Sequence, residues 1–179
     1  MEDPKHLIII GASGHGKVVA DIAINCAYQD IAFLDDANET IECAGFPVVG
    51  KVSDAASLSD GCDFIVAIGN ARVRRKIQNE ISGVITTLVH PAAVISRRVE
   101  IDRSSVVIAG AVINSDTKIG EGCIINTGAS VDHDCVVGDF AHISVGAHLA
   151  GTVHVGSGTW VGIGATVSNN VTICQDCMI

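Results

Sequence analysis

From Val89 to Ile179 an aliphatic side chain recurs at every sixth position: Val89, Ile95, Ile101, Val107, Ile113, Ile119, Ile125, Val131, Val137, Ile143, Leu149, Val155, Val161, Val167, Ile173 and Ile179. Four residues after each of the first fifteen stands Ala, Val, Ser, Thr or Cys. A period of six matches neither a helix, at 3.6, nor a lone alternating strand, at 2. It is the mark of a hexapeptide β-helix, in which each short strand forms one wall of a coil. Residues 89–179 are therefore expected to wind up with the aliphatic residue inward and a compact residue beside it.

Residues 1–88 follow another rhythm. The apolar run Leu7 to Ile10 ends in Gly11-Ala12-Ser13-Gly14-His15-Gly16, and a helical pattern follows through Val18, Val19, Ile22, Ala23 and Cys26. A second strand, Ile31 to Leu34, runs into Asp35-Asp36. Phe46 to Val49 reads as a short strand and Ser53 to Leu58 as a capped helical turn. Strand Phe64 to Ile68 ends at Gly69-Asn70, a basic helix covers about 71–81, and Val84 to Leu88 leads to the His90-Pro91 corner. Alternating strands and helices predict a small Rossmann-like parallel sheet, with ligands outside the carboxyl ends of its strands. Gly11 to Gly16, Asp35-Asp36 and Gly69-Asn70 all fall there.

The glycine order is G-x-x-G-x-G, not the dinucleotide order G-x-G-x-x-G. A tight turn without a ligand explains it, and so does a cradle whose N–H groups and helix N-terminus receive phosphate. In the second case Ser13 and His15 add side-chain donors. Asp35 and Asp36 would suit ribose hydroxyls or ring N–H groups.

Composition narrows the partners. Aromatics make up 3% of the chain against 48% hydrophobic residues, so the core is built of small aliphatics. The net charge of −9 argues against nucleic acid, which needs a basic face. Arg72, Arg74, Arg75 and Lys76 lie at helical spacing and are expected to form a solvated face. The acidic start and the shortness of every apolar run predict neither a secretory signal nor a membrane-inserted segment, so a cytoplasmic location is expected. Cys123, Cys135 and Cys177 occupy the compact inward position. Cys174 and Cys177 form a lone C-x-x-C, so inert thiols rather than a metal site are expected.

Within the repeat, Asp132-His133-Asp134 breaks the bland pattern. His133 stands two places after an inward aliphatic, at or near a corner. If three hexads make one coil, its stacked neighbours are Ser115 and Gly151, both small enough to leave room for a substrate. Asp116 and Asp134 stack in the next column. Flanking carboxylates fix one imidazole tautomer and raise its basicity, which suits a general base. A lone surface histidine with no task is the competing reading. His142, His148 and His154 end successive hexads and so lie on three different walls, which excludes one cluster within a chain. His142 could meet His133 only across an interface between subunits. Trp160 is expected to pack rather than bind.

The glycine loop, Phe33-Leu34-Asp35-Asp36, Ala67-Ile68-Gly69-Asn70 and Asp132-His133-Asp134-Cys135 occur together in an order that resembles bacterial nucleotide-aminosugar N-acetyltransferases of the PglD type. Sialic acid O-acetyltransferases are relatives of that family. The resemblance spans the chain. It implies that 1–88 is a Rossmann-like nucleotide-sugar-binding domain and 89–179 a left-handed β-helix acyltransferase domain. It implies a homotrimer with intersubunit active sites, acetyl-CoA as cosubstrate, and no metal. Gly11, Ser13, Gly14, His15, Asp35, Asp36, Gly69 and Asn70 would hold a UDP- or GDP-linked 4-amino-4,6-dideoxy sugar. Acetyl-CoA would lie near His142, Gly146 and Ile163, with His133 the general base and Asp134 its support. O-acetylation of a sialic acid-type sugar and a non-catalytic sugar-binding scaffold are the alternatives. Such enzymes continue for another coil or two, so a chain ending at Ile179 is expected to be truncated, with a partial CoA site.

Overall fold

The computed structural model describes residues 5–37 and 41–179, and the chain divides into two compact units, 1–88 and 89–179. In the first, the aliphatic run His6–Ile10 forms β1, from which Leu7, Ile8, Ile9 and Ile10 are all buried. It pairs in parallel with β2 (Asp30–Leu34) and with β5 (Cys62–Val66). With β3 (Glu42–Cys43), β4 (Phe46–Gly50) and β6 (Val84–Ile85) they make a six-stranded sheet ordered β3-β4-β2-β1-β5-β6. Burial on both faces requires continuous apolar strands rather than alternating ones, as β1 shows.

The sheet is mixed, not wholly parallel as expected. β3 runs antiparallel to β4, joined through Ala44 and Gly45 at φ 52° and 81°. Two successive left-handed residues make the two-residue turn that suits a hairpin, but Ala-Gly is a weak sequence signal for it. Helix α1 (Gly14–Asn25) follows β1 and buries Val19, Ala20, Ile22 and Ala23. A 3₁₀ helix covers Val52–Leu58, opened by a bond from the Lys51 N–H to Asp54 Oδ2 at 2.8 Å.

Helix α2 (Ala71–Glu80) exposes Arg72, Arg75 and Lys76 as expected of a solvated basic face, but not Arg74. It buries Arg74, only 1% exposed, and Gln78 one turn on, while Val73 stays 43% exposed. The Arg74 guanidinium Nη1 donates to the carbonyls of Ile68 at 2.7 Å and Gly69 at 2.9 Å. A buried guanidinium needs such acceptors.

In the second unit strands of two residues pair in parallel with partners eighteen residues on, for example Val112↔Ser130 and Ser130↔His148. Three hexads therefore make one coil. Three five-stranded sheets result, and Ile125, Val131 and Val137 show how the aliphatic of each hexad fills the interior, each no more than 1% exposed. Every sixth residue from Ser104 to Asp176 has positive φ, whether glycine or not. Each corner thus turns the chain through one left-handed residue, the conformation that an L side chain resists and Gly, Asn and Asp best tolerate. Cys123 and Cys135 are buried, their thiols 3.2 Å from the carbonyls of Gly138 and Ala150. Cys174 is exposed. Among the described residues no helix is long and apolar enough to cross a membrane.

Candidate active site

His133 follows the strand Ser130–Val131 and stands exposed on a corner, with Asp134 taking the left-handed position at φ 58°. Its Nδ1 lies 2.7 Å from Asp134 Oδ2. That bond assigns the proton to Nδ1 and leaves the Nε2 lone pair outward, the tautomer a base requires. Asp132 Oδ1 accepts the His133 N–H at 2.8 Å and Asn114 Nδ2 at 2.8 Å. The Asn114 bond, then the His133 N–H, hold the Asp132 carboxyl below its usual range. The bond to Asp134, then the Asp132 charge, push the imidazole above the ordinary histidine value. The expected partner Asp116 is engaged elsewhere, 2.8 Å from Arg98 Nη2.

The coil above has a gap where the ring needs one. A Cβ at Gly151 would stand 2.6 Å from both Cε1 and Nε2 of His133. Ser115, on the coil below, gives its carbonyl to the Asp134 N–H at 3.0 Å, and its hydroxyl lies 2.8 Å from Ser96 Oγ.

His142, Gly146 and Ile163 lie elsewhere on the β-helix, Ile163 one turn above the other two. His142 opens the strand after the next corner and is 8% exposed, its ring 4.7 Å from that of Trp160 and its Nε2 3.0 Å from Asn126 Nδ2. Gly146 is a left-handed corner at φ 62°, in the column of Gly128 and Gly164. Ile163 is 80% exposed beside it, Gly164 N–H bonding Val145 O at 3.0 Å. His133 belongs to the column of Ser115 and Gly151, next to the corner column of Asp116, Asp134 and Thr152. One chain thus presents the two sets at different corners. His142, His148 and His154 fall on three separate sheets.

In the first unit the glycine loop is drawn close to the strand ends. A Cβ at Gly16 would lie 2.1 Å from Gly11 O, and one at Gly11, where φ is 110°, 2.9 Å from Ala67 O. Gly14 and Gly69 instead face open space. Ser13 stands at the N-cap of α1 without a side-chain capping bond and is exposed. His15 turns inward: burial, then the Arg74 charge, lower its pKa to about 4, so the ring is neutral at pH 7. Its Nε2 is buried without a hydrogen-bond partner among the described residues. Asp35 accepts the N–H groups of Ala12 at 2.6 Å and Ala37 at 2.8 Å, and Asp36 that of Val52 at 3.0 Å. Asn70 caps α2 through Arg72 N and Val73 N at 3.0 and 3.1 Å. These three side chains shape the loops with bonds that the sequence reading had not assigned to them.

The sequence profile of the PglD N-terminal domain matches residues 6–81. Over 113 residues the chain is 36% identical to UDP-N-acetylbacillosamine N-acetyltransferase of Bacillus subtilis (strain 168), a match spanning 59% of this chain and about half (52%) of that relative. PerB from Caulobacter crescentus, solved with CoA and GDP-perosamine, superposes with a TM-score of 0.92 at 37% identity, over 97% of this chain and 84% of that one. The acetyltransferase domain of PglB from Neisseria gonorrhoeae FA1090, solved with acetyl coenzyme A, gives 0.80 and 39% over 98% and 93%. The chain belongs to the nucleotide-aminosugar N-acetyltransferases of the PglD type. As in that family, its fold is an α/β unit followed by a left-handed parallel β-helix.

Within this N-acetyltransferase family member, sequence reasoning misplaced Arg74 on the solvated face and passed over Asn114 and Thr117. Arg74 sits among charged neighbours that mask its burial. Asn114 directly follows Ile113 with nothing local to single it out, and only the eighteen-residue register brings it to Asp132.

Proposed function

We propose that this protein transfers the acetyl group of acetyl-CoA to the 4-amino group of a UDP- or GDP-linked 4-amino-4,6-dideoxy sugar, with His133 as general base. The observation that carries the reading is the exposed His133–Asp134 pair, 2.7 Å apart, facing the gap at Gly151. His133 Nε2 takes a proton from the amine as nitrogen attacks the thioester carbonyl. The tetrahedral oxyanion then collapses, expelling CoA thiolate, which recovers a proton. Asp134 holds the ring and stabilises the imidazolium. No covalent enzyme intermediate is needed, so the thiols stay out of the chemistry. Positioning two substrates together supplies much of the acceleration.

In this reading the first unit is the nucleotide-sugar-binding domain and the second the acyltransferase domain. The open N-terminus of α1, with Gly11, Ser13 and Gly14, receives the diphosphate. The buried His15 Nε2 gains from a ligand oxygen the partner it lacks among the described residues. Gly69 leaves room, and Asp35, Asp36 and Asn70 border the site while holding its loops. His142, Gly146 and Ile163 carry CoA. Because they lie at another corner from His133, the reading has copies of the chain meet, as a homotrimer with active sites between subunits. Seven free thiols suit the reducing cytoplasm.

Acetyl transfer, followed as CoA thiol release, is expected with a UDP- or GDP-linked 4-aminosugar. Turnover confined to a hydroxyl acceptor such as sialic acid would replace this reading by O-acetylation, and none with any acceptor by a sugar-binding scaffold. Asp134→Asn is expected to lower kcat about tenfold. It also removes the leading cause of the raised imidazole pKa, so the pH-rate profile should move downward. An unmoved profile would deny Asp134 its part.

A further inference from the structure

We propose that Thr117 is a positioning residue for the base: its buried hydroxyl grips both ends of the His133–Asp134 corner and keeps the two side chains aligned. The kinetic part rests on the acetyl-transfer reading above; the structural part does not.

His133 and Asp134 are both exposed, so packing does little to fix them. Their alignment must come from the backbone. Thr117, 0% exposed one coil below, donates Oγ1–H to Asp132 O at 2.7 Å and accepts the Cys135 N–H at 3.2 Å. Those two backbone atoms are the ones immediately before and after the His133–Asp134 pair. One hydroxyl serves as donor and acceptor together, which no apolar isostere can do. Asn114 steadies the Asp132 carboxylate on the same approach.

The grip is not a requirement of the coil. Ala, Val or Cys fills the equivalent place in most hexads. It recurs at Ser105, which donates to Gly120 O at 2.8 Å and accepts from Cys123 N at 2.9 Å around Glu121-Gly122, and at Thr159, with Cys174 O at 2.7 Å and Cys177 N at 3.1 Å around Gln175-Asp176, two corners with no histidine. Cys135 makes a weaker thiol version, its Sγ–H on Ala150 O with the Val153 N–H toward the sulfur. The charged groups around His133 are Asp132 and Asp134 on its own corner and, below, Asp116 paired with Arg98. The coil above brings Gly151 and Thr152, which carry no charge.

The test replaces Thr117 in the full chain and reads two things: the His133 titration by NMR without substrate, and kcat against KM. Thr117→Val is expected to shift the His133 titration downward and to lower kcat about tenfold, with both KM values within about twofold. Thr117→Ser restores both, and Ser105→Ala changes neither. If Thr117→Val does not fold, Thr117→Cys keeps a donor and is expected to shift the titration part-way. An unmoved titration in the folded Val or Cys variant overturns the proposal, and so does an equal loss of kcat in Ser105→Ala. A shifted titration in a protein whose parent transfers no acetyl group overturns the acetyl-transfer reading and leaves the positioning role standing.

Discussion

His133→Ala is expected to lower kcat by roughly 10²- to 10⁴-fold, the usual worth of a general base, while nucleotide-sugar binding persists. Binding persists because the residues proposed to hold the nucleotide belong to the other unit. The ring is exposed and makes no packing contact on which the coil depends, so the variant should melt as the parent does. The same residue sets the pH dependence. A base works unprotonated, and Asp134 followed by Asp132 raises its pKa above the ordinary 6.5. The rate should therefore climb with pH through a point above that value and then level off. Steady-state kinetics of parent and variant across that range are the check. A loss under about fivefold with intact binding would remove His133 from the chemistry.

Gly151→Ala should cost activity without costing stability. Its φ is not in the left-handed region, so alanine suits the backbone. The added Cβ would come within 2.6 Å of the imidazole at Cε1 and Nε2, far inside van der Waals contact. What yields is the end of an exposed side chain, not the coil. To move away, the ring must give up its 2.7 Å bond to Asp134 and withdraw Nε2 from the gap. A displacement of about 1 Å at a reacting group costs about 10²-fold, and a loss of that order in kcat is expected. Thermal melting should stay within a few degrees. Full activity in Gly151→Ala would show that substrate does not approach the ring from that side.

The sixfold beat and the corner at His133 were readable because they are periodic: a residue's place in the hexad sets its direction, and eighteen residues set its neighbours. Gly151 was found by that counting. Arg74 could not be. Helix α2 buries the stripe of Arg74 and Gln78 and leaves Val73 out, opposite to what polarity along the chain predicts. The carbonyls of Ile68 and Gly69, which make that burial tolerable, come from the turn before the helix. Asp35, Asp36 and Asn70 were assigned to ligand from their place at the strand ends. Their bonds to Ala12, Val52 and the first turn of α2 depend on how the loops close.

The sequence alone determined that this is a two-part chain, an α/β unit and a coil of repeated hexads, with one imidazole at or near a corner. Local periodicity and side-chain direction suffice for that, since each hexad repeats one backbone path. Strand pairing fixed three hexads to a turn. Tertiary structure decided the inward turn of His15 and which hydrogen bonds the other side chains make: Asn114 to Asp132, Thr117 across the corner and Arg74 to the carbonyls before its helix. Such bonds join atoms on different turns or different elements, and their angles depend on left-handed corners and loop closures that no spacing encodes.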